Sequence, residues 1–439
     1  MVDIPHNEKG IEMLGIILGL VVLMILAYLG WSIIWIAPIA AGIVALGGGL
    51  DLFDTYTNVY MSGFVGFAKS WFPVFMLGAI FGKLMQVTNM ATSVSLSLGK
   101  ALGQKRAILG VILSAAVLTY GGVSLFVVVF AVYPLALELF KAANISRRLI
   151  PPTIALGAFT FTMAALPGSP QIQNLIPIKY FHTTAMAAPI TGIVTGLIMF
   201  IGGYLYLKYR ENILRDKGED YKEPKEMQKE QIPSKNPNFL LSLAPLFCVV
   251  LLLNAFKFNI INALLCGILL ILILNITQFK RFILAINEGA SGSVIAIINT
   301  SAAVGFGSVV KSVPGFQSLI DLLLSIKGSP LISEAIAVNL LAGATGSASG
   351  GMGIALEALA DKYKEIALNQ SIPLELFHRI ASISSGGLDA LPHNGAVLTL
   401  LAITGLSHKQ SYLDICVVAV IIPIIALIVG IILATFGIY

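Results

Sequence analysis

Residues 384–395 combine side chains and backbone breaks that binding sites inside membranes use. They read Ser-Ser-Gly-Gly-Leu-Asp-Ala-Leu-Pro-His-Asn-Gly and interrupt an apolar run over 373–404. A membrane helix tolerates broken backbone only where protein or a water-filled cavity satisfies the freed N–H and C=O groups. An ionisable side chain at that depth, here Asp389 or His393, indicates a functional site by default. We therefore expect a discontinuous helix over 373–404 whose break binds a ligand.

The composition is that of a membrane protein. Of 439 residues, 57% are hydrophobic and 11% are charged, and the mean hydropathy is +0.90. Soluble domains carry roughly 25% charged residues, so we predict an all-α polytopic protein with the lipid bilayer as its partner. The net charge of +5 comes from basic loops, and we expect no nucleic-acid partner. The three cysteines lie in apolar segments without metal or redox spacing.

Apolar runs of about 20 residues predict the spanning helices. The candidate spans are 11–29, 31–50, 64–87, 149–180, 184–206, 239–256, 259–276, 289–310, 373–404 and 412–436. Between the halves, 208–238 is predicted to be a cytoplasmic linker, because eight Lys/Arg and seven Asp/Glu fall within 208–235. Two regions, 107–140 and 331–360, are too long for loops and too interrupted for simple spans.

The two halves match each other at an offset of 225 residues. Phe81-Gly82 falls on Phe306-Gly307, and Ala165-Leu166-Pro167 falls on Ala390-Leu391-Pro392. One constant offset over such a length indicates a duplicated unit. We predict a first repeat over 1–207 and a second over 239–439.

Charge predicts that the two repeats are inverted. The windows 100–106 and 141–148 hold six Lys/Arg, whereas their partners 325–331 and 366–373 hold only Lys327. Conversely, 51–63 has no basic residue, whereas its partner 276–288 has two. Basic loops mark the cytoplasmic side, so the repeats take opposite orientations, as five spans in each would require. Inverted repeats with interrupted helices that meet near the midplane are a common transporter plan.

The interrupted regions are then predicted to be re-entrant hairpins, each followed by a broken helix. The first hairpin (107–140) has its tip near Gly121, and the second (331–360) has a Gly/Ser-rich tip over 343–353. Helix N-termini at the breaks favour an anion, and the uncharged donors around them suit a small carboxylate that must be released. The predicted substrate-binding residues are Gly121, Gly122, Ser169, Gln171, Gln173, Asn174, Thr345, Ser347, Ser349, His393 and Asn394.

Each of these features also has a structural interpretation. The prolines at the breaks could simply kink packed helices, the Gly/Ser run could be close helix packing, and His393 could be a structural donor. Asp389 is harder to explain structurally, because a carboxylate at mid-membrane costs roughly 2.5–3.5 kcal/mol. We therefore predict that Asp389, or His393 beside it, is the proton-coupling site. His378 and Arg379 are predicted to be interfacial, and Lys83 is predicted to snorkel.

The residues form no catalytic constellation. The serines, histidines and aspartates lack a nucleophile elbow or metal-ligand spacing, and no GxGxxG motif follows a strand. The sequence therefore predicts a protein that is not an enzyme and that has neither a cofactor nor a metal.

Several short blocks resemble the gluconate permease (GntP) family of the ion transporter superfamily. They are Leu-Gly-Ala-Ile-Phe-Gly-Lys at 77–83, Ala-Asn-Ile-Ser at 143–146, and the breaks at 166–174 and 391–395. The resemblance implies proton-coupled uptake of a small organic acid. By analogy with the superfamily, it also implies a homodimer that works as an elevator. The first break departs from the gluconate carriers and is similar to the hydroxybutyrate-permease branch.

From these observations we expect a secondary transporter of the bacterial inner membrane. It would import a hydroxy- or keto-monocarboxylate, such as 3-hydroxybutyrate or gluconate, by proton symport. Sodium coupling is the alternative, because unwound carbonyls and polar side chains at both tips could hold Na⁺. A channel, or a membrane subunit of an enzyme complex, is a further alternative from a different class.

Overall fold

The described chain is built from helices. The computed structural model describes residues 6–29, 31–224, 237–324, 329–392 and 394–439, so His393, Lys327 and linker residues 225–236 lie outside the described residues. The helices are α1 His6–Tyr28, α2 Ile33–Gly47, α3 Leu52–Val87, α4 Met90–Leu102, α5 Ala107–Tyr120, α6 Leu125–Ala142, α7 Ile150–Ala158, α8 Ile172–Phe181, α9 Pro189–Asp216, α10 Phe239–Asn254, α11 Ile260–Leu274, α12 Phe279–Ser312, α13 Gly315–Leu324, α14 Pro330–Thr345, α15 Ala348–Gln370, α16 Leu374–Ser385, α17 Gly395–Thr404 and α18 His408–Thr435.

Four described helices are each long and apolar enough to cross a membrane. They are α3, α9, α18 and the helix over 276–312 that contains α12. A fifth span results if α4 and 104–120, which meet at 106°, count as one. Helices α2, α10, α11, α14 and α17 are shorter, with 10–16 residues. The predicted spans 64–87, 184–206, 289–310 and 412–436 thus correspond to the four long helices, and 11–29 corresponds to α1, which has 23 residues.

The two longest helices, α3 and α12, form the centre of the molecule. They run antiparallel, since Gly305 lies against Tyr60 and Gly289 lies against Ile80. A Cβ at Gly289 would come within 2.7 Å of the Ile80 Cα atom. Glycine therefore lets the two backbones touch, which fixes the crossing of α3 and α12 as a rigid wall.

Both predicted broken helices are broken where proline and glycine interrupt the apolar run. The first continues from α7 through a π-helical turn at Phe161–Ala165, and the chain then leaves helical geometry until α8. We call 166–171 the first break. The second ends at Ser385, where two glycines follow, and resumes at α17. We call 386–394 the second break.

Both predicted hairpins consist of two helices joined by a short tip. The first hairpin is α5 and α6, with its tip at 121–124, and the second is α14 and α15, with its tip at 346–347. Gly122 has φ +95° and Gly346 has φ +59°, which an L side chain rarely adopts. Glycine is therefore required where each tip turns.

Two helices run past the limits that hydropathy indicated. Helix α15 continues to Gln370, ten residues beyond the predicted hairpin, because ion pairs such as Lys364–Asp361 support its polar end. Helix α9 continues to Asp216, into the predicted linker, where Lys208 and Arg215 both pair with the buried Glu211. The apolar runs end earlier than the helices do.

Candidate functional site

A cavity of about 700 Å³ lies between the wall of α3 and α12 and the two hairpin tips and breaks. Ligand pockets typically measure roughly 300–1,000 Å³. Its wall from α3 and α12 includes Val74, Phe75, Gly78, Ala79, Lys83, Glu288, Gly289, Gly292, Ser293, Ala296, Asn299 and Thr300. The opposite side includes Gly122, Ser124, Pro170, Gln171, Gln173, Thr345, Gly346, Ser347, Ser349, Asp389 and Asn394. Two tips and two breaks thus converge on one space.

Four helices begin at this cavity. Their N-cap residues are Ser124 for α6, Gln171 for α8, Ser347 for α15 and Asn394 for α17, and all four line the cavity. The first turns of a helix carry unpaired N–H groups and a partial charge of roughly +0.5. Four such ends around one cavity create a positive potential without a fixed cation, which favours a bound anion.

The first tip and the first break are joined by hydrogen bonds. The Gln171 Nε2 atom donates to the Thr119 carbonyl at 2.5 Å, and the Tyr120 hydroxyl donates to the Pro167 carbonyl at 2.9 Å. A Cβ at Gly122 would come within 3.1 Å of the Pro170 Cγ atom. The break therefore packs directly on the tip, and the N-termini of α6 and α8 are held together.

Asn394 joins the second tip to the second break. Its Oδ1 atom accepts from the backbone N–H groups of Ala396 and Val397 at 2.7 and 2.9 Å, capping α17. Its Nδ2 atom donates to the Gly346 carbonyl at 2.8 Å. The Asn394 side chain therefore satisfies backbone N–H groups at the start of α17 and a backbone carbonyl at the second tip.

Arg379, on α16, joins the second broken helix to residues on either side of the first break. Its guanidinium is fully buried and donates to the carbonyls of Ala187 at 2.8 Å and Ala165 at 3.2 Å, and to the Asn174 Oδ1 atom at 2.8 Å. His378 is also fully buried and lies 3.3 Å from the same Asn174 atom. The prediction that both side chains are interfacial is therefore wrong, because both are buried against residues that flank the first break.

The structure brings most of the predicted site residues to the cavity. Those that line it are Gly122, Gln171, Gln173, Thr345, Ser347, Ser349, Asp389 and Asn394. Gly121 instead faces α10, where a Cβ would meet the Leu246 side chain at 2.6 Å. Ser169 and Asn174 are buried behind the first break, and the Asn174 amide donates to the Ser169 carbonyl at 2.8 Å.

The cavity also contains polar groups that the sequence analysis missed. Thr300 on α12 lies 3.3 Å from the Ser349 hydroxyl at the second tip, and Asn299 beside it has a buried Oδ1 atom without a partner. The Oε1 atom of Gln173, a predicted site residue, is likewise buried without a partner in the described structure. The sequence signal for Asn299 and Thr300 was available, because both are polar residues in the middle of the apolar helix α12.

Three ionisable side chains line the described part of the cavity. Asp389 is only 7% exposed, and its Oδ1 atom has no hydrogen-bond partner in the described structure. Lys83 on α3 and Glu288 on α12 form an ion pair at 2.8 Å. The described residues contain no cluster of three His, Cys, Asp or Glu that could hold a metal ion. The polar groups here suit reversible binding of a small ion.

A polytopic helical protein with broken helices around a central cavity has the architecture of a secondary transporter. The chain belongs to the GntP permease family: the family description "GntP family permease" matches residues 11–265, and the YxjC transporter of Bacillus subtilis is 42% identical over 93% of this chain and 96% of its own. A permease of Haemophilus influenzae is 28% identical over 55% of this chain and 50% of its own. The relatives are permeases and transporters, not enzymes.

A solved structure shares the fold. The YdaH transporter of Alcanivorax borkumensis matches with a TM-score of 0.58 over 98% of both chains, at 13% sequence identity. At that identity the likeness concerns the fold alone.

Proposed function

We propose that the protein imports a small organic acid together with protons. The observation that supports this most is the convergence of four helix N-termini on one cavity rich in polar groups. Such a site attracts a carboxylate through fixed backbone dipoles. A short hydroxy- or keto-monocarboxylate, such as 3-hydroxybutyrate or gluconate, has hydroxyl or carbonyl groups for the amides and hydroxyls around it.

Asp389 is the proposed proton-coupling site. It faces the cavity from the second break and is nearly fully buried, with one carboxylate oxygen lacking a partner. Burial makes an ionised carboxylate costly, so closure of the cavity around an anion favours a proton on Asp389. His393, four residues later, remains part of the proposed coupling site and of the proposed substrate site, although it lies outside the described residues.

The proposed mechanism is an elevator built on two inverted repeats. Helix bounds recur at the 225-residue offset: α3 and α12 end at Val87 and Ser312, α5 and α14 end at Tyr120 and Thr345, and α4 and α13 begin at Met90 and Gly315. In this proposal, α3 and α12 belong to a static scaffold, and the hairpins and broken helices move together. The hydrogen bonds of Asn394 and Arg379 support movement as one body. We further propose a homodimer in the bacterial inner membrane.

Sodium coupling is a second candidate, supported by one observation. The hydroxyls of Thr300, Ser349 and Ser347 form a chain with spacings of 3.3 and 3.5 Å. Asn299, which lines the same cavity, has an Oδ1 atom without a partner in the described structure. Hydroxyl and amide oxygens are ligands that a hard cation accepts.

Uptake of labelled acids into proteoliposomes tests the proposed function. We expect 3-hydroxybutyrate or gluconate to accumulate under an imposed inward pH gradient, with saturable kinetics. Accumulation only under a sodium gradient would show that sodium is the coupling ion and would favour the hydroxyls of Thr300, Ser349 and Ser347 as its site. No uptake of either acid under both gradients would contradict this choice of substrate class.

A further inference from the structure

The Lys83–Glu288 pair is a charged contact inside the cavity that neither the coupling proposal nor the helix N-termini use. Lys83 Nζ lies 2.8 Å from Glu288 Oε2, and the side chains are 28% and 46% exposed. Both residues line the cavity, and Lys83 is the only Lys, Arg or His among the described residues that do so. An anion that enters the cavity therefore meets one cationic side chain.

The pair shares the cavity with an anion-attracting helix end. Lys83 on α3 and Glu288 on α12 lie on helices whose backbones cross closely at Gly289 and Ile80. Ser124, the N-cap of α6 at the first tip, lines the same cavity as Lys83.

We infer that Lys83 is the cationic ligand of the substrate carboxylate, and that Glu288 holds its ammonium group in place when the cavity is empty. This inference rests on the proposed function. An ion pair of this exposure is weak, so a substrate carboxylate supported by helix N-termini can replace Glu288 at little cost. Glu288, nearly half exposed, then returns to water.

The competing interpretation is a clamp between α3 and α12 without contact to substrate. The two interpretations predict different relative effects of substituting Lys83 and Glu288. Either single substitution breaks a clamp, so Lys83→Gln and Glu288→Gln would have equal effects. For a substrate ligand the effects are opposite, because Lys83→Gln removes the ligand and Glu288→Gln removes its competitor.

The experiment measures binding and uptake of 3-hydroxybutyrate and gluconate by full-length purified protein. We expect Lys83→Gln to raise the KM at least tenfold and to abolish thermal stabilisation by the acid. Glu288→Gln should lower the KM, because it removes the competitor for the ammonium group, and Lys83→Arg should retain binding. The control is Lys311→Gln, which breaks a similar pair with Asp361 at 3.2 Å, outside the cavity lining, and should change neither quantity.

The outcomes separate this inference from the proposed function. If the wild type binds an acid and Lys83→Gln binds it equally well, the assignment of Lys83 is overturned and the proposed function stands. Equal losses in Lys83→Gln and Glu288→Gln would also overturn it, in favour of the clamp. A wild type that neither binds nor transports these acids would overturn both.

Discussion

In the proposed mechanism, Asp389 couples transport to pH. The carboxyl group faces the cavity, and one of its oxygens has no partner in the described structure. We predict that Asp389→Asn removes the pH dependence of uptake but permits exchange of bound substrate, because the amide resembles a carboxyl group that cannot release its proton. Counterflow and pH-gradient uptake in the same proteoliposomes measure the two properties. Full proton-driven accumulation by this variant would mean that Asp389 is structural.

Glu334 is the other carboxyl group that lies buried without a partner. It is fully buried on α14, and neither of its oxygens has a hydrogen-bond partner in the described structure. Because an ionised carboxylate there would be costly, we predict a protonated group and a melting temperature for Glu334→Gln close to that of the wild type. Breaking a buried ion pair would instead cost about 3–5 kcal/mol. A loss of that size would show that Glu334 is charged.

A matched variant checks this interpretation of Glu334. Glu211 is also buried, but it pairs with Lys208 and Arg215. Glu211→Gln should lower the melting temperature more than Glu334→Gln does. The reverse order would contradict the protonated state of Glu334.

At the scale of single elements, the broken helices were predictable and some of their neighbours were not. Proline and glycine inside an apolar run are visible in the sequence, so both breaks were placed correctly. Helices α4 and α13 were missed because they are short and lie outside the apolar runs used to find spans. The roles of Arg379 and Lys83 depend on partners about 200 residues away, and no local pattern indicates such partners.

The cap of α17 connects helix stability to substrate binding. Asn394→Ala removes two capping bonds and the bond to the second tip, so we predict a loss of about 1 kcal/mol and a weaker affinity for the transported acid. Asn238 caps α10 through one bond, from the Leu240 N–H, outside the cavity lining. Asn238→Ala should lose some stability with unchanged affinity. Unchanged affinity in both variants would move the substrate away from the second break.

The second hairpin depends on a glycine at its closest crossing. A Cβ at Gly351 on α15 would come within 2.1 Å of the Ala342 backbone nitrogen on α14. Backbone atoms cannot move aside as a flexible side chain can, so Gly351→Ala should separate the two arms and strongly reduce folded, active protein. Gly66→Ala, where no atom lies within 4 Å, is the control. Wild-type yield and uptake for Gly351→Ala would contradict this packing.

At the scale of the whole molecule, the proposed inversion predicts which side each hairpin enters from. We expect Lys105→Cys, before the first hairpin, to react with an impermeant thiol reagent only from the cytoplasmic side. Gln370→Cys, at the end of the second hairpin, should react only from outside. The native Cys248, Cys266 and Cys416 are replaced first. Reaction of both positions from the same side would contradict the inverted arrangement.

The sequence predicts an all-helical membrane protein, because its composition and apolar runs indicate one. The inverted arrangement, which rests on the repeat and on loop charge, stays a prediction. The sequence did not indicate that four N-caps border the same cavity. That arrangement depends on how the helices cross, including the crossing of α3 and α12 at Gly289 and Ile80. Close packing of this kind has no signature in hydropathy.

The central claim is that an anion and a proton enter together through this cavity. The most direct measurement follows labelled gluconate uptake and internal pH in the same proteoliposomes, with protein-free vesicles as the control. The account predicts that internal acidification begins with gluconate influx, saturates with it and disappears in Asp389→Asn. Gluconate accumulation without acidification of the interior would contradict the account.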